Sequence, residues 1–315
     1  MAPTPHTEPQ AAPHGMAAVP AGASTMGSER FYPEERPARE VEVGAFWIDR
    51  HPVTNADFAR FVAATGHVTV AERPPRPEEH PGVDPALLVP GSLVFRPPPG
   101  PVPLDDPRAW WAYVAGACWR RPEGPGSGIA DRMDHPAVHV AHADAEAYAA
   151  WAGKALPTEA EWERAARGGL PGATYAWGEA FAPEGRFLAN TWQGAFPWQD
   201  LGLDGFAGTS PVGVFPPNGY GLHDMIGNVW EWTADDFGAH GPKPTAAPCC
   251  RGRGLAGARR PKVVKGGSHL CAPDHCRRYR PAARQPQEAD SSASHIGFRC
   301  VRRPDPPREG GARDA

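Results

Sequence analysis

The sequence predicts a single α+β domain with long loops and little regular secondary structure. Proline (40) and glycine (36) make up about a quarter of the 315 residues and interrupt helices and strands along the whole chain. Eleven tryptophans and twelve phenylalanines nevertheless require a packed core. Three helical patterns alternate with short extended runs, and neither a repeat nor a linker divides them.

The two ends of the chain differ in composition from the rest. Residues 1–28 are rich in proline, alanine and histidine, which predicts a disordered tail before a domain of residues 29–303. Residues 304–315 predict a second flexible tail. The N-terminus lacks the pattern of a secretory signal, and no apolar run is long enough for a membrane span. We therefore expect a cytoplasmic protein whose six cysteines are thiols.

Charge excludes one class of partner. The net charge is -4, the isoelectric point is near 6.4, and no polybasic run appears. This balance argues against a nucleic-acid-binding surface.

Capping and stop signals predict three helices. The first begins at the Thr54 cap, in a box with Asp57, and Gly66 ends it. The second lies within AHADAEAYAAWAGK, residues 141–154. The third begins at a capping box in LPTEAEWERAARGG, residues 156–169, and a pair of glycines ends it.

Short extended runs between turn residues predict a small antiparallel sheet. In chain order they are AFWIDRHPV (45–53), SPVGVFPPN (210–218), PKVVKGGS (261–268) and HIGFRCVRR (295–303). The aromatic run GNVWEWTADDF, residues 227–237, is interpreted as a further buried strand.

The segment HPAVHVAHAD contains His135, His139 and His142, a spacing that suits zinc if the segment is helical. Pro136 and the alternating valines predict a strand instead, on which His142 faces away from the other two. The glutamate of an H-E-x-x-H motif is also missing. We interpret these histidines as structural.

Four cysteines near the end of the chain suggest two metal sites. Cys249 and Cys250 together with Cys271 and Cys276 would offer four thiolates to zinc. Adjacent side chains on an extended chain diverge, however, so Cys249 and Cys250 are poorly placed to bind one ion. Cys271 and Cys276 are better placed, because Pro273 indicates a tight loop in which the two thiols converge. Nearby arginines should lower the thiol pKa values: Arg277, Arg278, Arg280 and Arg284.

Two thiolates without a third protein ligand suit Cu(I), whereas zinc or an iron–sulfur cluster requires more ligands. On chemistry alone, a reduced structural pair remains an equal alternative. Two other loops offer hard oxygen ligands for calcium: one contains Asn190 and Asp204, the other Asp224 and Glu231. Neither has the spacing of an EF-hand, so spacing alone gives little support to either calcium site, and a buried aromatic strand is the alternative interpretation of the second.

From about residue 30 to 303 the sequence resembles the formylglycine-generating enzymes, also called sulfatase-modifying factors. The blocks LPTEAEWE, GNVWEW and GFR are shared by the superfamily and indicate the fold, while the cysteine pair in KGGSHLCAPDHCRRYR is more specific. The resemblance implies a C-type-lectin-like core. It also implies oxidation of a cysteine in a C-x-P-x-R motif of an unfolded or newly made sulfatase to Cα-formylglycine, with O2 and an external thiol or other reductant as co-substrates.

The resemblance also implies roles for individual residues. Cys271 and Cys276 would bind Cu(I), and the substrate thiolate would join them as a third ligand. Ser268 and Trp232 would line the pocket for oxygen and the substrate cysteine. The two implied calcium sites are formed by Asn190, Thr191, Asp204 and Phe206, and by Asp224, Gly227, Val229 and Glu231. The implied peptide contacts are His275, where some members carry tyrosine, His295, where they carry asparagine, and Ser292.

Disulfides of secreted members are not matched. Cys300 corresponds to one half-cystine whose partner falls near Ala149, and Ala166 replaces another, so we expect Cys300 to be a free buried thiol in a cytoplasmic monomer. Two other functions remain open. A non-haem iron sulfoxide synthase of the same fold would require an additional N-terminal helical domain with metal-binding histidines, and a non-catalytic lectin-like binding module would require no reactive thiols.

Overall fold

The computed structural model describes residues 12–79, 81–238 and 260–304. Within these ranges it contains three α-helices, six short 3-10 helices and eleven strands of at most seven residues. Much of the chain between them is turns and irregular loops. This confirms the prediction of one mixed domain with little regular structure.

The three predicted helices are confirmed as α1 (Asn55–Thr65), α2 (His142–Trp151) and α3 (Glu159–Arg167). Reciprocal capping boxes begin α1 and α3, as their sequences predicted. Glycines in the left-handed conformation end both helices, Gly66 at φ 67° and Gly168 at φ 57°.

The strands form four small sheets with the orders β1-β4-β11, β10-β7-β8-β9, β2-β3 and β5-β6. All strand pairs are antiparallel except β10 and β7. Their bounds are β1 (Met16–Val19), β2 (Gly22–Met26), β3 (Arg39–Val43), β4 (Phe46–Asp49), β5 (Gly91–Phe95), β6 (Trp111–Ala115), β7 (Trp230–Asp236), β8 (Lys262–Lys265), β9 (Arg284–Gln287), β10 (Ile296–Gly297) and β11 (Val301–Arg302).

The prediction of a disordered tail up to residue 28 is wrong for the described part of that segment. Strand β1 pairs with β4 from Met16 to Val19, and both of these side chains are buried. Strand β2 pairs with β3 immediately after it. A short apolar run inside a proline- and alanine-rich segment is enough to complete a sheet over the core. Residues 1–11 and 305–315 lie outside the described residues.

Three strand predictions require correction. Residues 210–218 form turns and irregular chain, because three prolines and the left-handed Gly213 interrupt any ladder. The HPAVHV segment makes one isolated bridge at Pro136 and is otherwise irregular, since His139 has a φ of 58°. The HIGFRCVRR run is divided between β10 and β11, which belong to different sheets.

The core contains buried ion pairs as well as aromatic rings. Trp162 and Trp232 are among the largest fully buried side chains. Arg299 pairs with Glu231, and its Nη2 also donates to two backbone carbonyls, which satisfies the buried guanidinium. Cys300 is a free buried thiol, as expected. Within the described chain, no helix has both the length and the apolar character required to traverse a bilayer.

Candidate active site

The two cysteines of the predicted site face each other in the loop between β8 and β9. Cys271 Sγ and Cys276 Sγ are 3.3 Å apart, a hydrogen-bonding distance that exceeds the roughly 2.0 Å of a disulfide. Two turns bring them together: the Cys271 N–H donates to the Ser268 carbonyl (2.9 Å) and the Cys276 N–H to the Ala272 carbonyl (3.0 Å). The thiols therefore converge as the loop sequence predicted.

Two glycines directly after β8 allow the loop to pack closely against other parts of the backbone. Gly266 and Gly267 have φ of 91° and 72°, values that side chains disfavour. A Cβ on Gly266 would lie 2.8 Å from the Met225 carbonyl oxygen, and one on Gly267 would lie 2.8 Å from the Arg278 carbonyl. The second glycine of the K-G-G-S sequence thus lies directly against the chain that follows Cys276.

The two thiols differ in acidity. A hydrogen bond with Cys271, followed in importance by the charge of Arg278, lowers the pKa of Cys276 to about 6, against the opposing effect of burial. Burial raises the pKa of Cys271 well above its ordinary value. Near neutral pH the metal-free pair is therefore a thiolate at Cys276 that accepts a hydrogen bond from a thiol at Cys271.

One of the four arginines expected to tune the thiols contacts them. Arg278 Nη1 lies 3.8 Å from Cys276 Sγ. Arg280 instead forms a buried pair with Glu35, and Arg284 pairs with Glu159. The prediction that all four arginines act on the pair is therefore too broad, because neighbouring side chains on an irregular loop point in different directions.

The two other residues expected to be catalytic lie in different places. Ser268 is buried beside the pair, and its N–H points at Cys271 Sγ from 3.4 Å. Trp232 donates its indole N–H to the Val140 carbonyl (2.9 Å) and packs edge-on against His142 at 5.5 Å. The structure therefore places Ser268 at the pair, whereas the contacts of Trp232 lead into the core.

The expected peptide contacts lie among aromatic rings. His275 is exposed and stacks on Phe196, with ring centroids 4.5 Å apart and planes 2° from parallel, and Trp110 meets it edge-on at 5.8 Å. The His295 ring lies 4.7 Å from the ring of Trp111. These rings form an aromatic cluster in which Trp110 and Phe196 are buried, and His275, next to Cys276 in the chain, is the exposed member.

Ser292 belongs to a buried polar chain. Its hydroxyl lies 2.7 Å from the hydroxyl of Ser92, which lies 2.8 Å from Nδ1 of His139. Burial lowers the pKa of His139 to about 4 and that of His295 to about 3, so both imidazoles are neutral at pH 7. Nδ1 of His295 is buried without a hydrogen-bond partner in the described structure.

The first expected calcium loop presents converging oxygen atoms. Asp204 Oδ2 accepts from the Thr191 N–H (2.9 Å) and from the amide of Gln193 (2.7 Å), and Oδ1 accepts from the Phe206 N–H (3.0 Å). Both the carbonyl and the hydroxyl of Thr191 also approach the Gln193 amide nitrogen. Asn190 is buried beside them. Three oxygens around one nitrogen are a donor set that fits a hard cation.

The second expected calcium set is more fully engaged by protein groups. Glu231 accepts from Trp162 Nε1 and from Arg299 Nε and Nη2, each at 2.8 Å, which uses three of about four acceptor positions of a carboxylate. Burial raises the pKa of Asp224, and its Oδ2 accepts from the Gly213 N–H at 2.8 Å. This set fits a cation less well than the first. The same loop contains the remaining members, Gly227 and Val229.

The three histidines of the HPAVHVAHAD segment have separate partners. His135 Nδ1 lies 2.9 Å from the Thr209 hydroxyl, and His142 Nε2 lies 3.0 Å from the Thr233 carbonyl. Across residues 12–79, 81–238 and 260–304, no group of three or more His, Cys, Asp or Glu side chains is arranged to hold a metal ion. The zinc hypothesis with Cys249 and Cys250 falls outside these ranges.

One part of the site was not anticipated from the sequence. Arg278 also pairs with Glu34 at 2.6 Å, and the Arg277 N–H donates to the hydroxyl of Tyr32. The acidic and aromatic FYPEE segment gives no local signal of contact with residues about 245 positions later. A distant segment thus supports the loop of the second cysteine.

This fold and site define a class of protein: an irregular mixed α/β domain with a C-type-lectin-like core and a facing pair of thiols. A model of the sulfatase-modifying factor enzyme 1-like domain matches residues 1–304, and the chain belongs to this family. The formylglycine-generating enzyme of Mycobacterium tuberculosis is 59% identical over 290 residues, which cover 91% of this chain and 97% of that protein.

More distant relatives indicate how far the similarity reaches. The inactive C-alpha-formylglycine-generating enzyme 2 of Bos taurus is 39% identical over 303 residues, 91% of this chain and 87% of that protein. The solved structure of PvdO from Pseudomonas aeruginosa has a TM-score of 0.59 at 24% identity and covers 92% of this chain and 94% of its own. At that identity PvdO supports the fold alone.

Proposed function

We propose that this protein is a formylglycine-generating oxidase. It would convert a cysteine in a C-x-P-x-R motif of an unfolded or newly made sulfatase to Cα-formylglycine, with Cu(I) as cofactor and O2 as oxidant. The observation that carries the proposal is the facing pair Cys271 and Cys276, 3.3 Å apart and adjacent in the chain to the exposed ring of His275. Because a relative of this chain is named inactive, family membership alone does not establish activity.

The donor set fits Cu(I). Cys271 and Cys276 are soft ligands whose sulfur atoms lie close enough to bind one ion. Cys276 is partly exposed, which would leave room for a third sulfur from the substrate. When bound, Cu(I) would supply one-electron chemistry with oxygen and a soft site for the substrate thiolate. The low pKa of Cys276 supplies one thiolate in advance, and Cys271 would release its proton when the metal binds.

The chain's own residues would bind and orient the peptide. His275 would offer an exposed ring that stacks on Phe196. Contacts of the peptide with Ser292, which is buried, and with His295 stay predictions from the resemblance. Ser268 would fix Cys271 by directing its N–H at the sulfur. His275, which is exposed, can donate or accept a hydrogen bond to a peptide backbone.

The electron balance requires a reductant. Conversion of a thiol to an aldehyde and hydrogen sulfide, with water supplying the carbonyl oxygen, releases two electrons. Reduction of O2 to two waters consumes four, so an external thiol or other reductant supplies the remaining two together with protons. The protein would therefore act as an oxidoreductase on a protein cysteine.

We also propose structural calcium at the Asp204 loop, a cytoplasmic location and a monomeric state. The oxygen atoms that converge on the Gln193 amide support calcium. Free thiols at every described cysteine support a reducing compartment, and they are Cys118, Cys271, Cys276 and Cys300.

The test is aerobic incubation of the full chain, loaded with Cu(I) and supplied with a thiol reductant, with a C-x-P-x-R peptide. Mass spectrometry of the peptide is expected to show loss of the thiol and gain of an aldehyde that reacts with hydroxylamine. Cys271→Ser and Cys276→Ser are expected to abolish turnover, whereas Cys118→Ser, at a buried thiol outside the pair, should retain it. Full turnover in either pair variant would overturn the proposal.

A further inference from the structure

A short N-terminal segment lies against the loop of the second cysteine. This strap, residues 31–35, precedes strand β3 by only a few residues. The hydroxyl of Tyr32 accepts the Arg277 N–H at 3.0 Å, and the Arg278 guanidinium carbon lies 3.8 Å from the centroid of the Tyr32 ring. The strap therefore contacts both the backbone and a side chain of the residues that follow Cys276.

The Arg278 guanidinium bridges the strap and the sulfur. Its Nη2 and Nε donate to Glu34 Oε1 at 2.6 and 3.2 Å, while Nη1 points at Cys276 Sγ from 3.8 Å. A guanidinium is a rigid planar fork, so a carboxylate that holds one edge also fixes the direction of the other nitrogen. Arg278 and Glu34 keep 21% and 23% of their side chains exposed, so without a partner Arg278 has space to turn towards solvent.

The strap itself is firmly anchored. Glu35 is fully buried and makes a two-point pair with Arg280, one arm of which is 2.9 Å long. The Arg280 guanidinium also lies 3.7 Å from the centroid of the Phe31 ring. Arg284 Nη1 donates to the Glu34 carbonyl at 3.2 Å, which fixes the backbone from which the Glu34 side chain extends. Glu34 is thus presented from a rigid support.

We propose that Glu34 is a positioning residue for the thiol pair: it holds the Arg278 guanidinium against Cys276 and so fixes that sulfur in the direction of Cys271. The inference rests on the proposed function, because the ligand that needs both sulfurs in place is Cu(I). A carboxylate about 240 positions away in sequence would in this way contribute to the geometry of the metal site.

A double-mutant cycle on the full chain tests this proposal. The variants are Glu34→Ala, Arg278→Ala and the combination, and the measurement is the Cu(I) Kd from anaerobic competition with a colorimetric chelator. We expect Glu34→Ala to weaken Cu(I) binding about tenfold, the effect of losing one hydrogen bond to a charged group. We expect the combined variant to bind no more weakly than Arg278→Ala, because Glu34 acts through Arg278.

Two further variants separate positioning from a general loss of structure. Arg30→Ala removes an exposed pair with Glu179 next to the strap and should leave the Kd within about twofold. Glu34→Gln keeps the acceptor oxygen and the shape of the side chain, so it should lose less affinity than Glu34→Ala and serves if the alanine variant does not fold. Melting temperatures of all variants are measured alongside.

The outcomes distinguish this inference from the proposed function. If Glu34→Ala binds Cu(I) as tightly as the unaltered chain while Cys271→Ser does not bind it, the positioning role is wrong and the proposed function stands. Full additivity of the two alanine effects would also overturn the role, since Glu34 would then act without Arg278. If the unaltered chain does not bind Cu(I), the proposed function itself fails.

Discussion

Loss of the Cys271 thiol should make Cys276 a weaker acid. The hydrogen bond between them is the largest cause of the low pKa of Cys276, about 6. A hydrogen bond to a charged group contributes about 1.5 kcal/mol at the low end, which corresponds to about one pKa unit. In Cys271→Ala we therefore expect the pKa of Cys276 to rise from about 6 to about 7.

The assay is the pH dependence of alkylation of Cys276 by iodoacetamide in metal-free protein, with the modified residue located by mass spectrometry. At pH 6 the thiolate fraction should fall from about one half to about one tenth, so alkylation should slow about fivefold. Cys118→Ala is the matched control, because that buried thiol lies outside the pair. An unchanged pH profile in Cys271→Ala would refute the reasoning.

Three further predictions concern stability and the loops around the site. The pKa of buried His139 is about 4, below its ordinary value, so its contribution to the free energy of unfolding is present above pH 6.5 and is lost as pH falls towards 4. Urea denaturation should show that the free energy of unfolding falls by about 3 kcal/mol over this range, and the fall should be smaller in His139→Gln. Gly267→Ala should cost about 1–3 kcal/mol in the same assay, because its φ is 72° and the new Cβ would meet Arg278 backbone atoms; no loss would show that the turn is not strained. Calcium should raise the melting temperature of the unaltered chain but not of Asp204→Ala, and equal shifts in both would place calcium elsewhere.

Local signals in the sequence predicted much of the fold. The boxes at Thr54 and Thr158 begin helices where expected, because a cap and its partner lie within one turn of each other. The convergence of Cys271 and Cys276 is also local, since two tight turns within nine residues produce it. Both the helix starts and the approach of the two cysteines could therefore be predicted from neighbouring residues.

Features that depend on distant partners were not predictable in this way. Strand β1 lies in a segment with the composition of a disordered tail, and only pairing with β4 reveals it. His139 leaves the extended conformation because its ring bonds with Ser92 and with the Pro122 carbonyl. The Glu34 contact joins residues that no sequence pattern connects. Tertiary contacts override local preference at each of these positions.

The most direct test of the account is X-ray absorption spectroscopy of the full chain titrated anaerobically with one equivalent of Cu(I). Coordination by two protein sulfurs is expected, with a third sulfur added when a C-x-P-x-R peptide is present. In the Cys271→Ser and Cys276→Ser variants the two-sulfur signature should disappear. The account would be contradicted if a variant that lacks both cysteines gave the same two-sulfur signature. It would also be contradicted if the unaltered chain bound Cu(I) through nitrogen and oxygen ligands.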